Sequence, residues 1–372
     1  MGPTSVLVMV LLATAITGLA AATASRRRHG GRPARGRDAG LLVLGQVLLA
    51  ALVVAPAPPP SARASLPDIH LRAARRVAGT PPATAHPVLG TGGPGSLDAA
   101  LAALRRSRHL TGSVVTDITV PGRRTGYRWP ARVYLPAQYF SATYARRTFP
   151  VVELIAGSHS RPGSIFGSLP LQKSFDTAIA RHTLPPVIGI APTRNPAPMP
   201  DRQCIDEPHG HAVATYLGVD VPRSVPHLLR ARTDRAGWAT MGTSSGGYCA
   251  ADLALRNPTR FSTVVSLSGY FSGPIDNVRQ GMVDPSPTPE ERLANTPIHQ
   301  VRNVTQPMSF VLVSARDDTE EYRELMRFAA VVRTLPSDGV STIVTPSGGH
   351  SSAAWRPVMS QILGGLGRCL TG

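Results

Sequence analysis

The sequence predicts an α/β fold: a mostly parallel central sheet with helices on both faces, preceded by N-terminal transmembrane helices. Three observations predict it. From Gly112 onward, short apolar runs alternate with helical patterns, the mark of a sheet built from strand–helix units. A G-x-S-x-G run, Gly242-Thr243-Ser244-Ser245-Gly246, falls between an apolar run and a helical one. Two long apolar stretches, 5–24 and 40–55, come before all of this.

Stretch 5–24 is uncharged and has the length a bilayer-spanning helix needs. Arg26, Arg27, Arg28, Arg32, Arg35 and Arg37 follow, then the shorter apolar stretch 40–55 and the proline-rich break 56–60. Proline cannot continue a helix, so the anchor ends there. The arginine loop belongs in the cytoplasm, which puts the rest of the chain outside. A rival reading takes the arginines and 40–55 as a signal peptide, with cleavage after Ala64 in Ala62-Arg63-Ala64. Both readings put the folded domain in an extracytoplasmic position, at the cell membrane or secreted. Residues 61–110 are rich in Pro, Ala, Arg and Gly and read as a tether; within it, 96–110 has room for a short helix capped by Ser96. The folded domain then runs over 111–372.

Within that domain the expected strands are 114–120, 127–135, 151–155, 187–191, 236–241, 309–314 and 340–345. The first two read as an antiparallel pair turning at Pro121-Gly122. Helical patterns fall at 171–181, 212–217, 223–231, 248–255 and 319–333. Segment 193–211 is irregular and polar.

The chain has 372 residues, 42% of them hydrophobic, and a net charge of +17. That is enough for one large core. The positive charge is nearly all arginine, with Lys173 the only lysine. The arginines are scattered, apart from the run before residue 40, and no helix-turn-helix, zinc-finger or aromatic-basic motif accompanies them. Nucleic acid is therefore not an expected partner. The three cysteines, Cys204, Cys249 and Cys369, form no CxxC pair, so neither a zinc nor a dithiol redox site is expected. In an exported chain Cys204 and Cys249 are the candidate disulfide, with Cys369 left over; three buried thiols are the other possibility.

The chemistry lies in three places. A glycine-flanked serine between a strand and a helix is a nucleophile elbow, with the Ser244 hydroxyl lifted into the open. A serine hydroxyl is a weak nucleophile near neutral pH and needs a base. His350 follows the strand at 340–345 in Pro346-Ser347-Gly348-Gly349-His350, where a base belongs. The chain order in such enzymes is Ser, then acid, then His, and the acid is expected at Asp317, with Asp318 and Glu320 as rivals. An oxyanion hole is expected from the backbone N–H groups of Ser245 and Ser158. Asp201, Asp206, His209 and His211 offer metal-ligand types, but nothing in their loop makes them converge, so no metal and no cofactor is expected.

On these residues the chain resembles the Putative esterase family of α/β-hydrolases, which holds esterase D-type enzymes, enterochelin esterases and secreted mycolyltransferases. The resemblance runs from about residue 114 to the end. It is carried by MGTSSGGYCAADLALRNPTRF (241–261) and PSGGHSSAAW (346–355), with support from ARVYLPAQY (131–139), ATYLGVDVP (214–222) and VSARDD (313–318). It implies the α/β-hydrolase fold and acyl-ester chemistry: a serine esterase, or an acyltransferase to a sugar or lipid hydroxyl. It implies Ser244 as nucleophile, His350 as base and Asp317 or a neighbour as acid. Two features depart from the mycolyltransferases: Ala156 replaces an acidic residue before the oxyanion glycine, and the 193–211 loop holds a single cysteine, Cys204. A non-catalytic envelope binding protein and a peptidase of similar fold are the competing expectations.

Overall fold

The computed structural model describes residues 88–89, 94–107, 109 and 111–370, apart from 159–162, 196–200, 278–280 and 337. The expected membrane segments 5–24 and 40–55, the arginine loop and most of the tether lie outside the described residues. Among those described, no helix is long and apolar enough to cross a membrane.

One sheet organises the domain. Its strands are β1 (Val88–Leu89), β2 (Val114–Pro121), β3 (Arg128–Leu135), β4 (Val151–Ile155), β5 (Ile188–Pro192), β6 (Trp238–Thr243), β7 (Thr263–Leu267), β8 (Ser309–Ala315) and β9 (Gly339–Thr345), in spatial order β1-β2-β3-β5-β4-β6-β7-β8-β9. β3 runs antiparallel to both β2 and β5, and the other pairings are parallel. The central strands carry side chains that are buried on both faces, so β4 (VVELI), β6 (WATMGT) and β7 (TVVSL) read as continuous runs without alternation.

Helices cover both faces. On one side α1 (Pro94–Ser107), α3 (Val221–Leu228), α4 (Ser245–Arg256) and α5 (Thr319–Val332) bury Leu97, Val225, Leu253 and Phe328 in one cluster. On the other, α2 (Leu171–Ala180) and α6 (Met359–Leu370) bury Phe175, Ile362 and Leu366. Each such side chain removed from water contributes about 1.5–3 kcal/mol.

Three differences from the sequence reading stand out. β7 was not expected; a five-residue apolar run beside a helix has no periodicity of its own to reveal it. α1 begins at Pro94, so Ser96 is its third residue and not its cap. The two helical pieces at 212–217 and 223–231 join into one helical run from Val213 to Leu228, through a π-helical turn at Tyr216–Asp220. That turn has a purpose in the fold. It aims the buried Asp220 carboxylate at the β2–β3 hairpin, where it accepts from Arg124 N at 2.8 Å, Thr125 N at 2.9 Å and Thr125 Oγ1 at 2.8 Å.

Candidate active site

β6 ends at Thr243 and α4 starts at Ser245, leaving Ser244 alone at the turn with φ 56° and ψ −127°. Such a backbone costs a non-glycine residue about 1–3 kcal/mol and persists only where its surroundings enforce it. Here the glycines allow the enforcement. A Cβ on Gly242 would sit 2.0 Å from the Gly246 carbonyl oxygen, and one on Gly246 would sit 2.2 Å from that of Ile155. The strand end, the helix start and the end of β4 close on one another only without those side chains. Ser244 N–H donates to Leu267 O at the end of β7 (2.8 Å), which pins the elbow to the next strand.

His350 lies in the loop after β9, reached through Gly348 (φ 128°) and Gly349 (φ 54°). Its Nε2 is 2.8 Å from Ser244 Oγ. On the opposite edge of the ring, Nδ1 stands 3.1 Å and 3.2 Å from the two oxygens of Asp318. A carboxylate can only accept, so Nδ1 carries the proton and the Nε2 lone pair faces the serine hydroxyl. Trp355 meets the imidazole edge to face at 6.1 Å, and its own Nε1–H donates to Ser268 Oγ at 3.0 Å. The ring is thus held from three sides while 37% of the side chain stays exposed.

The acid expected at Asp317 is a correction. Asp317 is exposed and turns to the backbone, accepting from Gly349 N at 2.9 Å and Gly348 N at 3.2 Å. Those two bonds hold its carboxyl below the usual carboxylate range and staple the loop that carries His350. Asp318, one residue on, is buried at the N-cap of α5 and makes no capping bond there, so both its oxygens serve the imidazole. Glu320 is exposed and makes no hydrogen bond to the imidazole among those found for His350.

Ser245 opens α4, so its N–H has no carbonyl a turn behind it within the helix and adjoins the nucleophile. Ser158 lies in the turn after β4; the neighbouring Gly157 approaches so closely that a Cβ there would be 3.2 Å from Ser244 Cβ. Ser245 thus adjoins Ser244 in the chain, and the residue before Ser158 packs against it.

Behind the elbow is a buried group that sequence reasoning missed. Arg194, 6% exposed, forms an ion pair with Asp201 and donates to Ser245 Oγ at 2.9 Å. Its other nitrogen meets Cys249 Sγ at 3.0 Å. Cys204 and Cys249 form a disulfide, Cα–Cα 5.6 Å, which ties the 193–211 loop to α4; Cys369 is a free thiol in α6. No motif in the sequence flags a lone arginine in a proline-rich loop. The same contacts account for the loop's metal-ligand types. Asp201 is taken by Arg194, Asp206 accepts from Thr215 N at 3.0 Å, and His209 and His211 are exposed. Among the described residues only Asp318, Glu321 and His350 bring ligand atoms together, within 4.8 Å.

Known proteins resemble this chain in sequence and in fold. A family model described as Putative esterase matches residues 122–366. An uncharacterised protein of Corynebacterium glutamicum is 26% identical over 247 residues, which is 62% of this chain and 55% of that protein; the match thus spans about half of that relative's length. A ferulic acid esterase superposes with a TM-score of 0.58 at 17% identity, covering 70% of this chain and 99% of its own. An S-formylglutathione hydrolase from Agrobacterium tumefaciens gives 0.56 at 14%, covering 69% and 96%. A fluorophosphonate-binding serine hydrolase of Staphylococcus aureus gives 0.55 at 14%, covering 68% and 97%. At these identities the structural likeness speaks to the fold, which is that of the α/β-hydrolases.

Proposed function

Because this chain belongs to the Putative esterase family, we propose that it is a serine esterase working through Ser244, His350 and Asp318 by way of an acyl-enzyme. The observation that carries the reading is the line Ser244 Oγ, His350 Nε2, His350 Nδ1, Asp318, with separations of 2.8 Å and 3.1 Å. His350 takes the serine proton as Ser244 Oγ attacks the ester carbonyl, and Asp318 stabilises the imidazolium that forms. The tetrahedral oxyanion is received by the N–H groups of Ser245 and Ser158; one such donor is worth about 2.7–4 kcal/mol to the transition state. His350 then gives its proton to the departing alkoxide. A water activated by the same Nε2 cleaves the acyl-enzyme and regenerates Ser244.

The partly exposed imidazole favours water as the second acceptor over a sugar or lipid hydroxyl. The cycle needs no cofactor, because proton transfer and charge stabilisation both come from the chain. Extracytoplasmic attachment to the cell membrane is part of this reading. It is supported by the apolar stretches 5–24 and 40–55 around the arginine run, and by the disulfide, a bond characteristic of oxidising compartments.

The test is covalent labelling by a fluorophosphonate, with peptide mapping and a Ser244→Ala control. Labelling of Ser244 that the control abolishes, together with turnover of p-nitrophenyl esters, is the expected result. A folded protein that neither labels nor turns over would instead be a binding protein.

A further inference from the structure

A second carboxylate reaches the imidazole nitrogen that Asp318 holds. Glu321 lies three residues further along the first turn of α5, a spacing that returns its side chain to the same side as Asp318. Its Oε1 is 3.6 Å from His350 Nδ1, against 3.1 Å for Asp318 Oδ2, and the side chain is 22% exposed. A single N–H cannot satisfy two carboxylates, and two anions this close repel one another. The arrangement is comfortable only if one of the pair holds a proton.

The surroundings decide which. Facing Glu321 are Asp318 and Glu320 from its own helix and His350 from the loop after β9. Tyr270 faces it from the loop after β7, with its hydroxyl already donated to Gln203 Oε1 at 2.5 Å. Arg316, the basic residue just before α5, lies over the Tyr322 ring instead. Asp318 has the shorter contacts to Nδ1–H with both oxygens and is its natural acceptor. Glu321 is left among acids.

We infer that Glu321 is a positioning residue: it carries a proton that it donates to the Asp318 carboxylate, holding that carboxylate against the Nδ1–H of His350. This rests on the esterase reading above and adds a group that acts on His350 only through Asp318. Burial, then the hydrogen bond with Asp318 and its charge, push Glu321 up to about 8. The proton therefore stays in place through neutral pH. When it leaves to solvent the donor is lost, two anions confront one N–H, and Asp318 is no longer fixed. Activity should fall at alkaline pH, where a lone Asp–His pair would stay on its plateau.

The experiment is kcat/KM for p-nitrophenyl acetate from pH 5 to 10, corrected for spontaneous hydrolysis. It uses the full chain, Glu321→Gln and Glu321→Ala, with fluorophosphonate labelling of each preparation. The wild type should lose activity with a midpoint near 8. Glutamine donates to Asp318 at every pH and cannot ionise, so Glu321→Gln should rescue the neutral activity to within about threefold and abolish the alkaline decline. Glu321→Ala should lose about tenfold at pH 7, the cost of an unheld partner, and show no decline either. A residue that merely packs would lower thermal stability without changing the shape of the profile. A labelled, active wild type with no alkaline decline, or a Glu321→Gln variant that keeps the decline at the same midpoint, overturns the role of Glu321 alone. A folded wild type that neither labels nor turns over sinks the esterase reading, and this role with it.

Discussion

Asp317 and Asp318 are adjacent in sequence and opposite in what they can reach. Asp318 begins α5 with its carboxylate turned inward to the imidazole; Asp317 ends the preceding turn with its own on two backbone N–H groups of the histidine loop. Changing Asp318 to Asn leaves an amide that can present N–H toward Nδ1 and stabilise the wrong tautomer. The expected loss in kcat is about 10³–10⁴-fold, as for a buried triad aspartate elsewhere. Asp317→Asn keeps an acceptor oxygen for the loop, and should cost less than about tenfold, since one weakened hydrogen bond is worth about 0.5–1.5 kcal/mol. Measuring both on one p-nitrophenyl ester separates them; equal losses would mean that the acid has been misassigned. That Ser244 and His350 meet was legible in the sequence, because each sits in a short motif whose glycines dictate its backbone. Which of two adjacent aspartates faces the ring was not. The answer depends on the residue at which α5 starts, and helix boundaries are the weakest part of any sequence pattern. Glu321 was hidden for the same reason, since its i+3 relation to Asp318 has meaning only once that start is known.

At the scale of elements, the loop 193–211 and α4 are joined twice, by the Cys204–Cys249 disulfide and by the Arg194–Asp201 pair on Ser245. The cysteines are 45 residues apart in sequence, and closing a loop of that size restricts the unfolded chain by an amount worth about 4 kcal/mol in the chain-entropy model. Cys204→Ser with Cys249→Ser should accordingly lower the unfolding free energy by about 2–4 kcal/mol. Chemical denaturation of oxidised wild type against the double variant measures this. A difference under about 0.5 kcal/mol would mean that Arg194 and Asp201 alone fasten the loop. The alternation of strands and helices was readable in most elements, because β2 alternates and α5 keeps a clean apolar stripe. It failed where tertiary context overrides local signal. TVVSL becomes a strand only because β6 and β8 bracket it, and the helical run from Val213 to Leu228 passes Pro222 by widening into a π turn whose reward, the Asp220 contact with a hairpin nearly a hundred residues away, has no local trace.

For the molecule as a whole, the buried acids set how stability responds to pH. Glu153, in the middle of β4, is fully buried, and neither of its oxygens has a partner among the described residues; burial drives it well above the ordinary glutamate range. Burial likewise lifts Asp252 to about 6, against the pull of Arg256 and Gln300, and Glu321 stands at about 8. Each of these folded values lies above that of the unfolded chain, so between about pH 4 and pH 8 the native state binds more protons than the unfolded state. Stability must then fall as pH rises through that window. Asp234 and Asp317, whose values are lowered, act in the opposite sense, but only as pH drops below the ordinary aspartate range. The net charge of +17 also grows toward acid as the 22 carboxylates are neutralised, and its self-repulsion bounds the stable range from below about pH 4. The melting temperature should therefore peak in mildly acidic buffer and decline by about 5 °C or more by pH 8, given about 2–4 °C per kcal/mol for a domain of this size. Differential scanning fluorimetry at constant ionic strength measures the curve. Glu153→Gln, which mimics the protonated acid, should leave the melting temperature at pH 5 nearly unchanged and raise it at pH 8. A wild-type melting temperature that climbs steadily from pH 5 to 8 would show that these carboxyls ionise in the folded state without cost, and that the centre of the sheet is not a dry core.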